Sequence, residues 1–189
     1  MKTTSAIGAG AALMAFMLAG IGLAAEGGTL FERIGGKDAT FAITKDLITR
    51  VKADPRIAKK FARSDEERLQ YSISGYLCIV LDGDCNYPGE SLKNAHQGLG
   101  VTAGEFDAFM EDLGAALDER KIVDPDRAAV LKALASARAT VVESQAKTTG
   151  TDLPASFRPA PPLKFAEPAA PAPAPEPAPA PTPAPAPAP

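Results

Sequence analysis

The chain has 189 residues, a formal charge of −3, one histidine, two cysteines and no tryptophan. A negative balance argues against a nucleic-acid binder, which normally carries a basic face, and two cysteines exclude a disulfide-dense scaffold or a cysteine-rich zinc module while leaving one disulfide open. Fifteen of the 18 prolines lie at or after Pro154, so the foldable part is shorter than the chain: roughly Thr29 to Lys147, the size of one ordinary domain.

Lys2 precedes an uncharged apolar run, Ala6 to Ala25, which ends in small residues before Glu26-Gly27-Gly28. This is the layout of a secretory signal peptide over residues 1–25, with Ala24-Ala25 as a cleavage site. An uncleaved anchor is the alternative, since a helix of about twenty residues spans the hydrocarbon layer. Either reading places the domain outside the cytoplasm, in the periplasm or otherwise exported; membrane contact follows only if the segment stays on.

The domain, residues 29–147, reads as all-α. Phe41, Thr44, Leu47, Ile48 and Val51 recur at helical spacing and stop before Asp54-Pro55, which opens a brief helix through Phe61. Ser64 and Glu67 have capping-box spacing ahead of the stripe Leu69, Ile73, Tyr76, Leu77, Val80 and Leu81. Thr102 and Glu105 form a second such pair, opening a helix striped by Phe106, Phe109, Met110, Leu113 and Leu117. Asp124-Pro125 starts the last helix, carrying Val130, Leu131, Leu134, Val141 and Val142. No segment alternates as a strand. Between Asp82 and Gly100 four glycines and Pro88 mark a loop with at most one helical turn.

That loop holds the only histidine, His96. A lone imidazole is weak evidence, but this one stands between two apolar-striped helices whose aromatics Phe61, Tyr76, Phe106 and Phe109 converge on the same space. It could present one nitrogen to a flat apolar cofactor, the arrangement a haem iron with a single proximal histidine needs.

Leu30-Phe-Glu-Arg-Ile-Gly-Gly36, Arg50-Val-Lys-Ala-Asp-Pro-Arg56, Phe61, Tyr87-Pro-Gly89, Ala95-His-Gln-Gly-Leu-Gly-Val101 and Phe106 follow one another in an order that resembles the group I truncated haemoglobins, short globins with a two-over-two helical sandwich. The resemblance covers about Thr29 to Glu143. It implies one haem b per chain, His96 as the iron ligand, Phe61 wedged against the porphyrin, and further haem contacts at Leu69, Ile73, Tyr76, Leu77, Leu92, Val101, Phe106 and Phe109. Periodicity alone reads these apolar positions as core packing. Gly35-Gly36 matches the family's first glycine pair; the second is half present, as Asp82-Gly83. Lys93 and Arg68 are candidates for the propionates, with solvated surface charge as the other reading.

The departure concerns the distal side. The tyrosine and glutamine that family members place there align with Ile48 and Ile73, and Leu69, one turn earlier, is apolar too. Tyr71 lies about 200° round the helix from its neighbours Leu69 and Ile73 and should point away. An aliphatic distal pocket of Ile48, Leu69 and Ile73 gives bound oxygen no donor, which weakens a nitric oxide dioxygenase or redox assignment. The expectation is an exported haem globin that reversibly binds O2, CO or NO, with any reductase partner unidentified. The competing expectation is a haem-free helical envelope spacer or interaction module. Cys78 and Cys85 either pair, tying the distal helix to the loop before His96, or remain two thiols. Residues 148–189 read as a disordered Ala/Pro-rich tail; the 22 residues from Pro168, extended, would reach about 70 Å as a spacer.

Overall fold

The computed structural model describes residues 28–85, 87 and 89–161. The leader at 1–25 and the Ala-Pro repeat from Pro168 lie outside the described residues. Among the described residues eight helices follow one another: α1 (Leu30–Arg33), α2 (Gly36–Ala53), α3 (Ala58–Phe61), α4 (Glu66–Val80), α5 (Leu92–His96), α6 (Ala103–Glu119), α7 (Asp126–Ala135) and α8 (Arg138–Val141). There is no strand among them, only one isolated bridge between Thr102 and Ser144. No described helix is long and apolar enough to cross a membrane.

The glycine pair after α1 works through backbone conformation. Gly35 and Gly36 have φ of +105° and +67°, values that favour glycine, and they turn the chain from the stub α1 into α2. Thr29 and Glu32 close a capping box around α1, and the Phe31 N–H donates to the Leu81 carbonyl at 2.9 Å, docking the stub on the end of α4. Asp54 terminates α2 and then accepts from the Arg56 N–H at 2.8 Å.

α2 and α4 pack as one pair and α6 and α7 as a second, with α2 also crossing α6. This is the two-over-two helical sandwich. The main core lies where the pairs meet: Leu47 and Val51 of α2, Leu77 of α4, Leu113, Ala116 and Leu117 of α6, and Val130 of α7. A smaller cluster of Val101, Phe106, Ala137 and Val141 sits at the other end of α6.

Four local expectations change. The cap of α4 is Asp65, whose carboxylate accepts from the Arg68 N–H at 2.8 Å; Ser64, one residue earlier, is left before the helix. Phe41 is 51% exposed; the expected Thr44, Leu47, Ile48 and Val51 are buried, and Thr40 and Ile43 complete that α2 face. The two threonines enter the interior because their hydroxyls return to carbonyls of their own helix, Thr44 to Thr40 at 2.8 Å and Thr40 to Lys37 at 2.9 Å. The last helix is divided between α7 and α8, and the Ser136 hydroxyl at the break bonds the Ala133 carbonyl at 2.5 Å. Finally, the ordered fold does not stop at Lys147: residues 148–161 continue over the domain, held by backbone and side-chain hydrogen bonds.

Cys78 and Cys85 are bonded, with Cα atoms 6.1 Å apart. Between them Gly83 leaves the room the bridge needs, because a Cβ there would run into Phe31 and the Cys78 sulfur.

Candidate cofactor pocket

A cavity of about 650 Å³ opens between α4, α5, the start of α6 and α8, a size in the range of small-molecule sites. His96 lines it from the end of α5. Ser91 caps that short helix through the Asn94 N–H at 3.3 Å, and beyond it Gly98 and Gly100 have φ of +80° and +64°. The two carboxylate oxygens of Glu143 accept from the N–H groups of Gly98 and Gly100 at 2.6 and 2.5 Å, which holds the Glu143 carboxyl below its ordinary pKa. The turn after the histidine is therefore clamped to the end of α8.

The imidazole itself is oriented. Its Nδ1 lies 2.8 Å from the Leu92 carbonyl, and a carbonyl can only accept, so Nδ1 carries the proton. In the neutral ring the lone pair is then on Nε2. Burial pushes the His96 pKa below its usual value, opposed by the Leu92 bond and the Glu143 charge. A neutral imidazole with an oriented Nδ1–H and an available Nε2 is the form that ligates a metal.

Around it the walls are apolar. Phe61, Leu69, Ile73, Tyr76, Leu92, Val101, Phe106 and Phe109 all line the cavity. Leu69, Ile73 and Tyr76 share one face of α4 at i, i+4 and i+7. Two expected residues stand elsewhere. Leu77 packs in the main core with Leu47 and Leu81; it lies about 80° round α4 from Leu69, on the side of Gln70, whose amide donates to the Phe41 carbonyl of α2 at 2.7 Å. Ile48, at 1% exposure, is also absent from the lining and is taken up in the buried face of α2. Of the three aliphatic residues expected together, Leu69 and Ile73 line the cavity. Tyr71 is exposed and outside the lining, and so is Lys93.

The rim is polar. Arg68 lines the cavity while donating to the Pro161 carbonyl at 3.0 Å, and Arg158 lines it too. Tyr76 and Tyr87 meet edge to face at 6.4 Å, and burial raises both phenol pKa values, so both keep their O–H; that of Tyr87 donates to the Glu90 carbonyl at 3.0 Å. Beneath the rim, Lys60 and Glu105 are 8% and 2% exposed and stand 3.7 Å apart. The Lys60 ammonium donates to the Leu99 carbonyl at 2.8 Å and the Asp152 carbonyl at 3.2 Å, and one Glu105 oxygen accepts from the Thr102 N–H at 3.0 Å. Sequence reasoning missed this pair because charged side chains are rarely interior unless fully partnered, and the partners come from distant parts of the chain.

These residues suit haem: an apolar slot of adequate volume, one axial nitrogen with a lone pair, and guanidinium groups at the mouth for carboxylates. Among the described residues no group of three or more histidine, cysteine, aspartate or glutamate side chains could hold a bare metal ion.

The family model described as bacterial-like globin matches residues 29–143. The chain is 31% identical to a group 1 truncated haemoglobin of Tetrahymena thermophila over 96 residues, covering 51% of this chain and 79% of that protein. It is 32% identical to one from a Synechocystis species over 115 residues, 59% of this chain and 92% of the relative. Among solved structures, the Fe(III) form of the Tetrahymena pyriformis truncated haemoglobin superposes with a TM-score of 0.59 at 27% identity, over 61% of this chain and 98% of that one.

Proposed function

This chain belongs to the bacterial-like globin family and is a haem-binding, group 1 truncated haemoglobin, and from that premise we propose that it is exported, carries one haem b on His96 and reversibly binds a diatomic gas, O2, CO or NO. The observation that carries the reading is the oriented imidazole of His96 in an apolar slot, with Nδ1 committed to Leu92 and Nε2 left to ligate. When bound, haem supplies an open coordination position for a small ligand.

The residues of this chain determine how that position behaves. His96 would hold the cofactor through Nε2, and the chain has no second histidine that could add another imidazole ligand. Leu69 and Ile73 line the cavity with aliphatic carbon, so neither would donate a hydrogen bond to a bound ligand. Gln70, the buried amide of α4, is committed to Phe41. A ligand that gains charge on binding receives no stabilisation from these groups, whereas a nearly neutral one loses little. This favours binding and release over oxidation of nitric oxide, which depends on retained oxygen. Phe61, Phe106 and Phe109 exclude water from the slot, and Arg68 is suited to a propionate.

Export is supported by the charged start, apolar run and small-residue end of residues 1–25, and by the Cys78–Cys85 bond, which is at home in an oxidising compartment. Mass spectrometry of the mature chain tests it. A start near Ala25 is expected, and a soluble cytoplasmic chain starting at Met1 would contradict it. The gas-binding reading is tested by exposing the reduced, haem-loaded protein to CO and then to argon. A Soret shift that reverses is expected, and no shift would contradict the reading.

A further inference from the structure

After α8 the backbone returns across the domain. The Ala103 N–H donates to the Ser144 carbonyl at 2.8 Å and the Gly104 N–H to the Ala146 carbonyl at 3.1 Å, so the first amides of α6 are satisfied by this segment. Position 104 admits the approach because it is glycine: a Cβ there would collide with the Lys147 carbonyl.

The next residues are anchored from the interior. The Thr102 hydroxyl donates to the Thr148 carbonyl at 2.5 Å. Both the N–H and the hydroxyl of Thr151 donate to one Glu105 oxygen, at 2.8 and 2.7 Å, and Lys60 donates to Asp152. Beyond these anchors Pro154, Phe157, Arg158 and Pro161 line the cavity. The Arg63 guanidinium stands over the Phe157 ring at 5.5 Å, and Arg68 holds the Pro161 carbonyl. Residues 144–161 themselves lie outside the segment that matches the globin family, which ends at residue 143.

We propose that residues 144–161 are a strap forming a wall of the haem site, and that its lining part, Pro154 to Pro161, slows escape of the cofactor. The proposal rests on the haem reading above. Buried Lys60 and Glu105 serve two ends at once: one fixes the turn after His96 and the other the start of α6, and both hold the strap. The cofactor therefore meets a wall tied to the same interior groups that position its ligand loop. To leave on this side it must displace Phe157 and the contacts of Arg63 and Arg68 with the strap. Arg158 adds a second lining guanidinium to that of Arg68, a number matched to the two carboxylates of haem b.

The test compares the full chain with chains ending at Pro161 and at Leu153. The shortest keeps the anchors at Thr148, Thr151 and Asp152 and removes the lining residues. Each is loaded with ferric haem and mixed with excess apomyoglobin, and transfer is followed in the Soret band. The chain ending at Pro161 should release haem at the rate of the full chain. The chain ending at Leu153 should release it about tenfold faster or more, the scale of uncovering one phenylalanine-sized contact. Phe157→Ala in the full chain should shift the rate in the same direction while the far-ultraviolet circular dichroism of the apo form stays unchanged. Equal release from all chains would overturn the strap and leave the haem reading standing; failure of the full chain to take up haem would overturn both. Should the shortest chain not fold, unchanged release from Phe157→Ala in the full chain overturns the proposal by itself.

Discussion

The two ends of α6 show what different demands do to one helix. Toward its C-terminal half, Leu113, Ala116 and Leu117 are buried against α2 and α7 in a dry aliphatic core. Toward its N-terminal half, Phe106 and Phe109 face a cavity, Glu105 is buried with Lys60, and an extended segment satisfies the first amides. The first region has an aliphatic interior, with ion pairs from Asp118 to Arg127 and from Glu119 to Arg50 only on its outer face. The second is built around space for another molecule, so its order depends on polar groups that are satisfied one by one.

Substitution in the packed half should have the largest effect and leave the other half's chemistry alone. Leu117→Ala removes a side chain with no exposure and should lower unfolding free energy by about 2–5 kcal/mol, transfer and cavity costs together. A urea titration reads the loss; the Soret maximum of the loaded protein should not move.

On the cavity side the expected change is in ligand kinetics. Ile73→Gln brings a donor to the aliphatic wall and should slow O2 release about tenfold to a hundredfold, the scale of a hydrogen bond worth about 1–3 kcal/mol to a charged partner, with CO release changed much less. Stopped-flow displacement measures both. Slow O2 release from the unaltered protein would point to another lining donor, such as the phenol of Tyr76.

The smallest effect is a pH dependence in the packed region. One carboxylate oxygen of Asp112 is buried without a hydrogen-bond partner, and burial raises its pKa above the ordinary value. A carboxyl whose folded pKa lies above its unfolded one contributes stability below the unfolded value and loses it as pH rises through the folded value. At pH 7 the ionised form is thus the unfavourable one. Asp112→Asn should raise the melting temperature at pH 7, and the gain should shrink as pH falls through the carboxylate range. A gain that grows on acidification would contradict this.

The contrast also explains what could be read from sequence. The packed half announces itself: Leu113 and Leu117 fall on the stripe, and Thr102 and Glu105 form the expected capping box at 3.1 and 3.0 Å. The end of α2 at Asp54 and the helical turn before Gly100 are equally legible from local spacing; Gly35-Gly36 and most of the cavity lining are legible only through the family resemblance, because spacing alone reads such apolar positions as core. Leu77 is placed at the cofactor by the family resemblance alone, whereas its periodicity reads as core packing, which is where it lies. The same contrast holds for Ile48. Thr44 falls on the expected stripe, but Phe41 stands there in place of its neighbour Thr40, whose hydroxyl is satisfied within the helix and so can be buried. Residues 148–161 carry no periodicity at all; they are held by Glu105, Lys60, Thr102 and Arg56, so composition alone read them as tail.

The central claim is that His96 is the group that holds haem in this space, and haemin titration of the full-length protein beside its His96→Ala variant tests it most directly. The unaltered chain should develop a sharp Soret band that saturates at about one equivalent, in keeping with one axial histidine per haem, and the variant should lose that band while its apo circular dichroism is retained. An identical spectrum and stoichiometry in the variant would contradict the claim.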